Sequence, residues 1–320
     1  MQAVFWYPMS FPGLIRFSPC YQPRVWGGRR LETILGRMLP DASTPIGESW
    51  EVSDRAEAMS MTVDGVSLNE LWQKHRDEVF GKLKSDSLRF PLLMKVLDAC
   101  EDLSIQVHPP LKRAAELGGQ PKTEMWFVAH AEPGAKIYAG LKKGVTRAQF
   151  DAALQNGALP NVLHVIYPRT GQCFFIPSGR IHAIGSGLLI YEIQQNSDTT
   201  YRVFDWNRLG LDGHPRQLHI AESLASIDFE DFEPRMQPDV KEGLLVRCEF
   251  FDVRLCVAAG QLGHQGENLT LAVTRGKFSI AGETFCAGDF AMIASTMPDH
   301  LRRITSRSID CQWLEIRIPS

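Results

Sequence analysis

Apolar residues in this chain come in short runs, roughly four to eight residues each, and almost every run is closed by Gly, Pro, Asn or Asp. Such runs are too short and too often interrupted for the stripes of a helical bundle. They are the rhythm of an all-β sandwich or barrel. Candidate strands are 92–97, 104–108, 125–130, 136–139, 163–167, 173–176, 188–194 and 201–204. From about residue 243 onward everything is strand-like, at 244–258, 269–273, 278–280, 290–294, 300–304 and 309–318. Helices are the minority. Ser67 to Phe80 opens with a capping box, Ser67 with Glu70, and stops at Gly81. Thr146 to Asn156 repeats the device with Thr146, Gln149 and Gly157, and a third helix is expected from about Gln217 to Ser226.

A length of 320 residues predicts about two domains. The acidic, proline-bearing stretch from Asp228 to Pro238 looks like the connection, which divides the chain into 1–230 and an all-β unit over 231–320. With 34 Lys+Arg against 37 Asp+Glu the net charge is −3, so no field exists to collect a nucleic acid or an anionic membrane. No apolar run approaches the roughly 20 residues a bilayer helix needs. The seven cysteines are scattered without a Cys-x-x-Cys pair and are expected to be reduced thiols of a cytoplasmic protein. The apolar start, Met1 to Pro8, lacks a basic flank and is interrupted by Pro8 and Pro12, which argues against export.

The chemistry concentrates in three places. In Ser104-Ile-Gln106-Val-His108-Pro109-Pro110, strand parity puts Gln106 and His108 on one face, and the prolines end the strand at once. In Lys122-Thr-Glu124-Met-Trp126, Lys122 and Glu124 share a face by the same rule. In Gly171-Gln-Cys-Phe-Phe-Ile-Pro177-Ser-Gly179-Arg-Ile-His182, a strand feeds a Pro-x-Gly turn that presents a histidine. Any one of these is unremarkable, because a lone His in a strand-rich domain is usually a hydrogen-bonded structural residue. Together they offer nitrogen and oxygen donors without thiolate, a set that suits zinc and also iron, manganese or cobalt.

The set resembles the two characteristic motifs of the cupin superfamily, whose small barrel carries a metal inside its mouth. The resemblance narrows with Trp26-Gly27-Gly28, the block Ile46 to Ser53, Phe90 to Ala99, and Tyr191-Glu192-Ile-Gln-Gln-Asn196-Ser-Asp198 through Arg202 to Trp206. In order and spacing these are similar to the short bacterial form of the type I phosphomannose isomerases. The blocks run from residue 26 to about 208, and the last stretch of about 80 residues carries no signature of its own. The implied fold is mostly β, two cupin-type jelly-roll barrels with a few flanking helices, the first metal-binding and the second metal-free. The resemblance further implies interconversion of mannose 6-phosphate and fructose 6-phosphate with one divalent metal, usually zinc. It makes Gln106, His108, Glu124 and His182 the metal ligands and gives Arg202 the place of an active-site arginine. Lys122 and Glu192 match pocket residues, and Lys95, Ser104 and Arg208 fall where the family contacts phosphate. Gln172 departs from the Asp that many relatives have after the glycine of the second motif.

Moving a carbonyl between C1 and C2 requires ring opening, proton removal beside the carbonyl, and stabilisation of an enediolate. Glu192 is the first candidate for the proton-shuttling base, with Gln194 and Asn196 on its own strand face as a polar wall. The competing role for Glu192 is to orient Arg202 or a ligand. Lys122 can polarise an oxygen or assist ring opening, and Arg202 offers a permanently charged fork for an enediolate or a phosphate. Lys95 stands inside the apolar run Leu92 to Leu97 and needs a partner or a wet cavity. Trp26, Trp50, Trp126 and Trp206 are expected to fill walls. Competing functions are a metal-dependent cupin oxygenase, which has no need of a cationic phosphate pocket, and a non-catalytic sugar-phosphate binder. The partner in either isomerase or binder is a small sugar phosphate.

Overall fold

The structure, a computed structural model, describes residues 13–83 and 85–319; the start of the chain, on which the argument against export rests, lies outside them. Among the described residues, twenty-one short strands form four antiparallel sheets, and the few helices flank them. The first unit pairs a six-stranded sheet with a five-stranded one. The six strands run in the order Cys20–Gly28, Ile46–Val52, Leu92–Ala99, Leu188–Gln195, Glu124–Ala131, Cys173–Ile176. The five run Tyr201–Phe204, Ile105–Val107, His182–Ile184, Ile137–Leu141, Leu163–Ile166. Trp126, Val128, Phe174 and Ile190 of the first sheet meet Ile137, Ala139 and Ile184 of the second in one apolar core. This is the interior of a cupin-type barrel.

Both faces of the six-stranded sheet are covered, which explains why its central strands read as nearly continuous apolar runs. Met94, Val96, Leu189, Tyr191 and Ile193 point away from the barrel and pack on Val253, Leu255, Ala272, Met292, Leu314 and Ile316 of the second unit. Lys95, Leu97, Ile190 and Glu192 occupy the alternate positions, facing inward. The second unit stacks a six-stranded sheet on a four-stranded one, with Leu271, Val273, Ile293 and Trp313 against Phe278, Ile280, Phe285 and Ile304. Leu14–Ile15 joins the edge of that sheet by pairing with Met292 and Ile293, so the amino-terminal segment belongs structurally to the carboxy-terminal unit. Tyr191 ties the units together, donating its hydroxyl to the Val273 carbonyl at 2.7 Å and stacking on Phe290.

The capping signals are realised. Ser67 accepts from the Glu70 amide, and Thr146 and Gln149 close a reciprocal capping box. The first helix, however, breaks at His75 into Leu68–Lys74 and Arg76–Phe80, and Gly81 ends it at φ +69°. The third begins only at Ile220, because the His219 amide is held by the Arg202 carbonyl at 2.8 Å. The expected strand 244–258 is a hairpin, Gly243–Arg247 and Asp252–Val257, turned where the Cys248 amide reaches the Phe251 carbonyl.

Candidate metal centre and substrate cavity

Antiparallel register does the assembling. Within the five-stranded sheet, Gln106 is the direct partner of His182 on one side and of Arg202 on the other, so the three lie in one row. Across the barrel, the six-stranded sheet presents the row Trp50, Lys95, Glu192, Trp126, Phe174. Glu124, two residues before Trp126, shares that inward face.

His108, Glu124 and His182 converge, their donor atoms all within 4.8 Å of one another, and all three are buried. Nε2 of His108 lies 3.5 Å from Oε2 of Glu124, and Nε2 of His182 lies 3.5 Å from Oε1. Each imidazole is turned by a backbone acceptor. Nδ1 of His108 meets the Thr199 carbonyl at 2.8 Å, and Nδ1 of His182 meets the Arg180 carbonyl at 2.9 Å. Donation there fixes the tautomer and leaves both Nε2 lone pairs aimed at the centre. Nε2 of His108 and Oε1 of Glu124 are buried without a hydrogen-bond partner among the described residues, while Oε2 of Glu124 faces the Lys122 ammonium at 2.7 Å. Two such orphans in one place are costly in an empty core and ordinary around a cation, so the donor set fits a divalent metal. The amide nitrogen of Gln106 lies 3.3 Å from Nε2 of His182, and its oxygen accepts from Ser104 at 3.2 Å. Turning that amide over brings its oxygen to the centre and leaves its nitrogen donating to Ser104.

The turn that delivers His182 depends on glycine. Gly179 sits at φ +94°, a region side chains disfavour, and its amide donates to the His108 carbonyl at 2.9 Å. That bond locks the second motif onto the first. Burial drives His182 down to about 3, and burial, with the nearby Lys122 charge, also lowers His108. Neutral imidazoles are the ligating form.

Beside the centre opens a cavity of about 270 Å³, lined among others by Lys95, Ser104, Gln106, Lys122, Glu192 and Arg202. Lys122 places Nζ 2.7 Å from Oε2 of Glu124 and 3.8 Å from Oε1 of Glu192. Burial alone would weaken its hold on the proton, but these two carboxylates outweigh it and keep it cationic. The same lysine holds Glu124 well below the usual carboxylate range despite burial. Glu192 goes the other way: burial and the Glu124 charge raise it to about 7, against Lys122 and Lys95. It is therefore a carboxylate able to take and return a proton near neutrality.

Several expected roles change. Arg208 is not in the lining of the cavity; it binds Asp205 at 3.0 Å and faces Glu101 at 3.6 Å, committed to carboxylates. Arg216, eight residues on, lines the cavity instead. Lys95 does face the cavity, yet its ammonium stands among Glu48 at 3.4 Å, Asp198 at 3.7 Å and Glu192 at 3.8 Å, a surrounding that disfavours phosphate. Ser104 is turned to Gln106. Gln194 and Asn196 are not in the lining of this cavity; their amides satisfy the carbonyls of Gln195, Ser197, Phe90 and Asp54. The tryptophans fill walls as expected, but two also steer carboxylates: Trp126 donates to Glu192 at 3.0 Å and Trp50 to Glu48 at 2.6 Å. Sequence reasoning missed Arg24, Glu48 and Arg216. Only Glu48 had a signal, its strand parity with Trp50.

Residues 14–120 match the family model described as phosphomannose isomerase type I, catalytic domain. A mannose-6-phosphate isomerase of Bacillus subtilis, ManA, is 34% identical over 295 residues, 87% of this chain and 91% of that protein. The chain belongs to the type I phosphomannose isomerase family. A second family member, the mannose-6-phosphate isomerase of Streptococcus mutans, is 41% identical over 206 residues, 63% of each chain. The crystal structure of the Bacillus subtilis mannose 6-phosphate isomerase superposes with a TM-score of 0.81 at 29% identity, covering 95% of this chain and 99% of that one. The family fold thus extends through the carboxy-terminal unit, where the sequence carries no motif.

Proposed function

We propose that this chain interconverts mannose 6-phosphate and fructose 6-phosphate, with Glu192 moving the proton, Lys122 and Arg202 beside the reacting oxygens, and one zinc ion held by Gln106, His108, Glu124 and His182. The observation that carries it is the convergence of His108, Glu124 and His182, with Nε2 of His108 and Oε1 of Glu124 buried and unpartnered, beside a cavity lined by a carboxylate raised to about 7. Two imidazoles, a carboxylate and an amide oxygen without thiolate suit zinc. A bound cation would supply Lewis-acid stabilisation of charge developing on the sugar's oxygens.

The remaining steps belong to side chains. In the open-chain aldose, the Glu192 carboxylate takes the proton from C2. The electron pair of that C–H bond becomes the C1–C2 double bond of an enediolate, with its charge on O1. Glu192 then returns the proton to C1 as the pair on O2 re-forms a carbonyl, the O2 proton having passed to O1. Lys122, kept cationic by Glu124 and Glu192, offers its ammonium to the oxygen where charge accumulates. Trp126 fixes Glu192 for both transfers by donating to its other oxygen. Residues 1–230 carry this chemistry, and 231–320 buttress the sheet that bears Glu192.

No helix among the described residues is long and apolar enough to cross a membrane. The seven cysteines are free thiols, which supports a reducing, cytoplasmic setting. The test is conversion of mannose 6-phosphate by the purified, metal-loaded protein in deuterium oxide. Fructose 6-phosphate should form without oxygen uptake, with solvent deuterium entering at C1 in the fraction of turnovers in which Glu192 exchanges its proton before returning it. Failure to turn over that substrate with metal bound contradicts the proposal.

A further inference from the structure

Lys95 and Lys122 are engaged by carboxylates at the floor of the cavity, whereas three arginines of its lining, Arg24, Arg202 and Arg216, have donors to spare. Nε of Arg202 is buried without a partner, and its guanidinium makes no hydrogen bond or ion pair with any described residue. Arg24 spends Nε on Glu48 at 2.8 Å and Nη1 on the Pro23 carbonyl, leaving Nη2 uncommitted. Arg216 spends Nε and Nη2 on Asp205, leaving Nη1. Burial and the charges of Arg216 and Arg24 weigh against the charge of Arg202, and Asp205 and Asp198 only partly offset them. Arg24 and Arg216 also line a shallower groove beside the cavity, next to Leu211, which places them at its mouth.

Building on the isomerase reading, we propose that Arg24 and Arg216, flanking Arg202, receive the substrate's phosphate at the cavity mouth, with the carbonyl end directed inward to Glu192 and the metal. Glu48 and Asp205 serve as positioning residues that hold the two forks in place. A dianion between three guanidiniums offsets their like charges and satisfies the orphaned Nε of Arg202. Arg208 and Arg216 both bind Asp205, and of the two only Arg216 lines the cavity.

The test uses inorganic phosphate as a competitive inhibitor of the metal-loaded enzyme, with Arg24→Ala and Arg216→Ala beside the wild type. Each variant is expected to raise the inhibition constant of phosphate and the KM for mannose 6-phosphate about tenfold or more, with kcat falling by less. Metal content should be unchanged. Lysine at either position should recover part of the loss. Where an alanine variant does not fold, Arg24→Gln or Arg216→Gln, which still donate to Glu48 or Asp205 without charge, are read in the same way. An unchanged phosphate inhibition constant in a folded variant overturns the assignment, as does a loss confined to kcat. Should the wild type not isomerise mannose 6-phosphate, calorimetric titration with inorganic phosphate still reads the arginines, so the two proposals fail separately.

Discussion

Lys122 and Glu124 form a buried ion pair, Nζ to Oε2 at 2.7 Å, in which the carboxylate also faces both histidines. One carboxylate therefore answers to a lysine and to two imidazoles at once. Lys122 also faces Glu192 at 3.8 Å, so it links the metal centre to the group proposed as base.

Replacing Lys122 with Met removes a cation that favours the ionised form of Glu192. The expected outcome is a roughly 100-fold lower kcat and an acid limb of kcat/KM displaced to higher pH, because Glu192 then holds its proton longer. A pH-rate profile checks this. An acid limb that stays in place contradicts the coupling.

Glu192 is raised above its ordinary value of 4.5 to about 7 in the metal-free protein. A carboxyl raised on folding contributes stability that is present below its unfolded value and is lost as pH climbs through about 7. Glu192→Gln keeps the neutral form at every pH. Relative to the wild type, the chelated variant should gain on the order of 3 kcal/mol between pH 4 and pH 9. Denaturant unfolding at several pH values measures it, and parallel stability curves would refute the raised carboxyl. The same variant should lose about 100- to 10,000-fold in kcat when metal-loaded.

Tyr191→Phe tests the joint between the units. It leaves the Val273 carbonyl without its hydroxyl donor and should lower stability by about 1–2 kcal/mol. The KM for mannose 6-phosphate should hardly change, since the side chain points away from the cavity. A KM effect larger than the stability effect would show that the second unit reaches the site.

The alternation of Gln106 with His108 and of Lys122 with Glu124 was legible because strand parity is a two-residue rule. So was the Pro-x-Gly turn before His182, since few residues other than glycine sit comfortably at φ +94°. What parity cannot give is which strand lies beside which. The row of Arg202, Gln106 and His182 exists only through pairing between strands some 76 to 96 residues apart in the chain. That Arg216 lines the cavity and Arg208 does not was hidden for the same reason. Both follow Asp205 on one loop and both bind it, and only the folded loop decides which one faces the cavity. Gln194 and Asn196 were misjudged because an amide meets a backbone carbonyl as readily as a substrate. The seam between the units was invisible too: Leu14–Ile15 crosses to the far sheet with no motif to announce it.

The central claim is that His108, Glu124 and His182, with Gln106, hold the one cation on which isomerisation depends. Its most direct test is activity on mannose 6-phosphate during zinc titration of chelator-stripped protein, with bound metal counted in parallel. Activity should be absent at the start, rise in proportion to bound zinc and reach its plateau at about one ion per chain. His182→Ala should bind zinc at least about 10-fold more weakly. Full turnover in the stripped protein, or an undiminished zinc site in His182→Ala, would contradict the account.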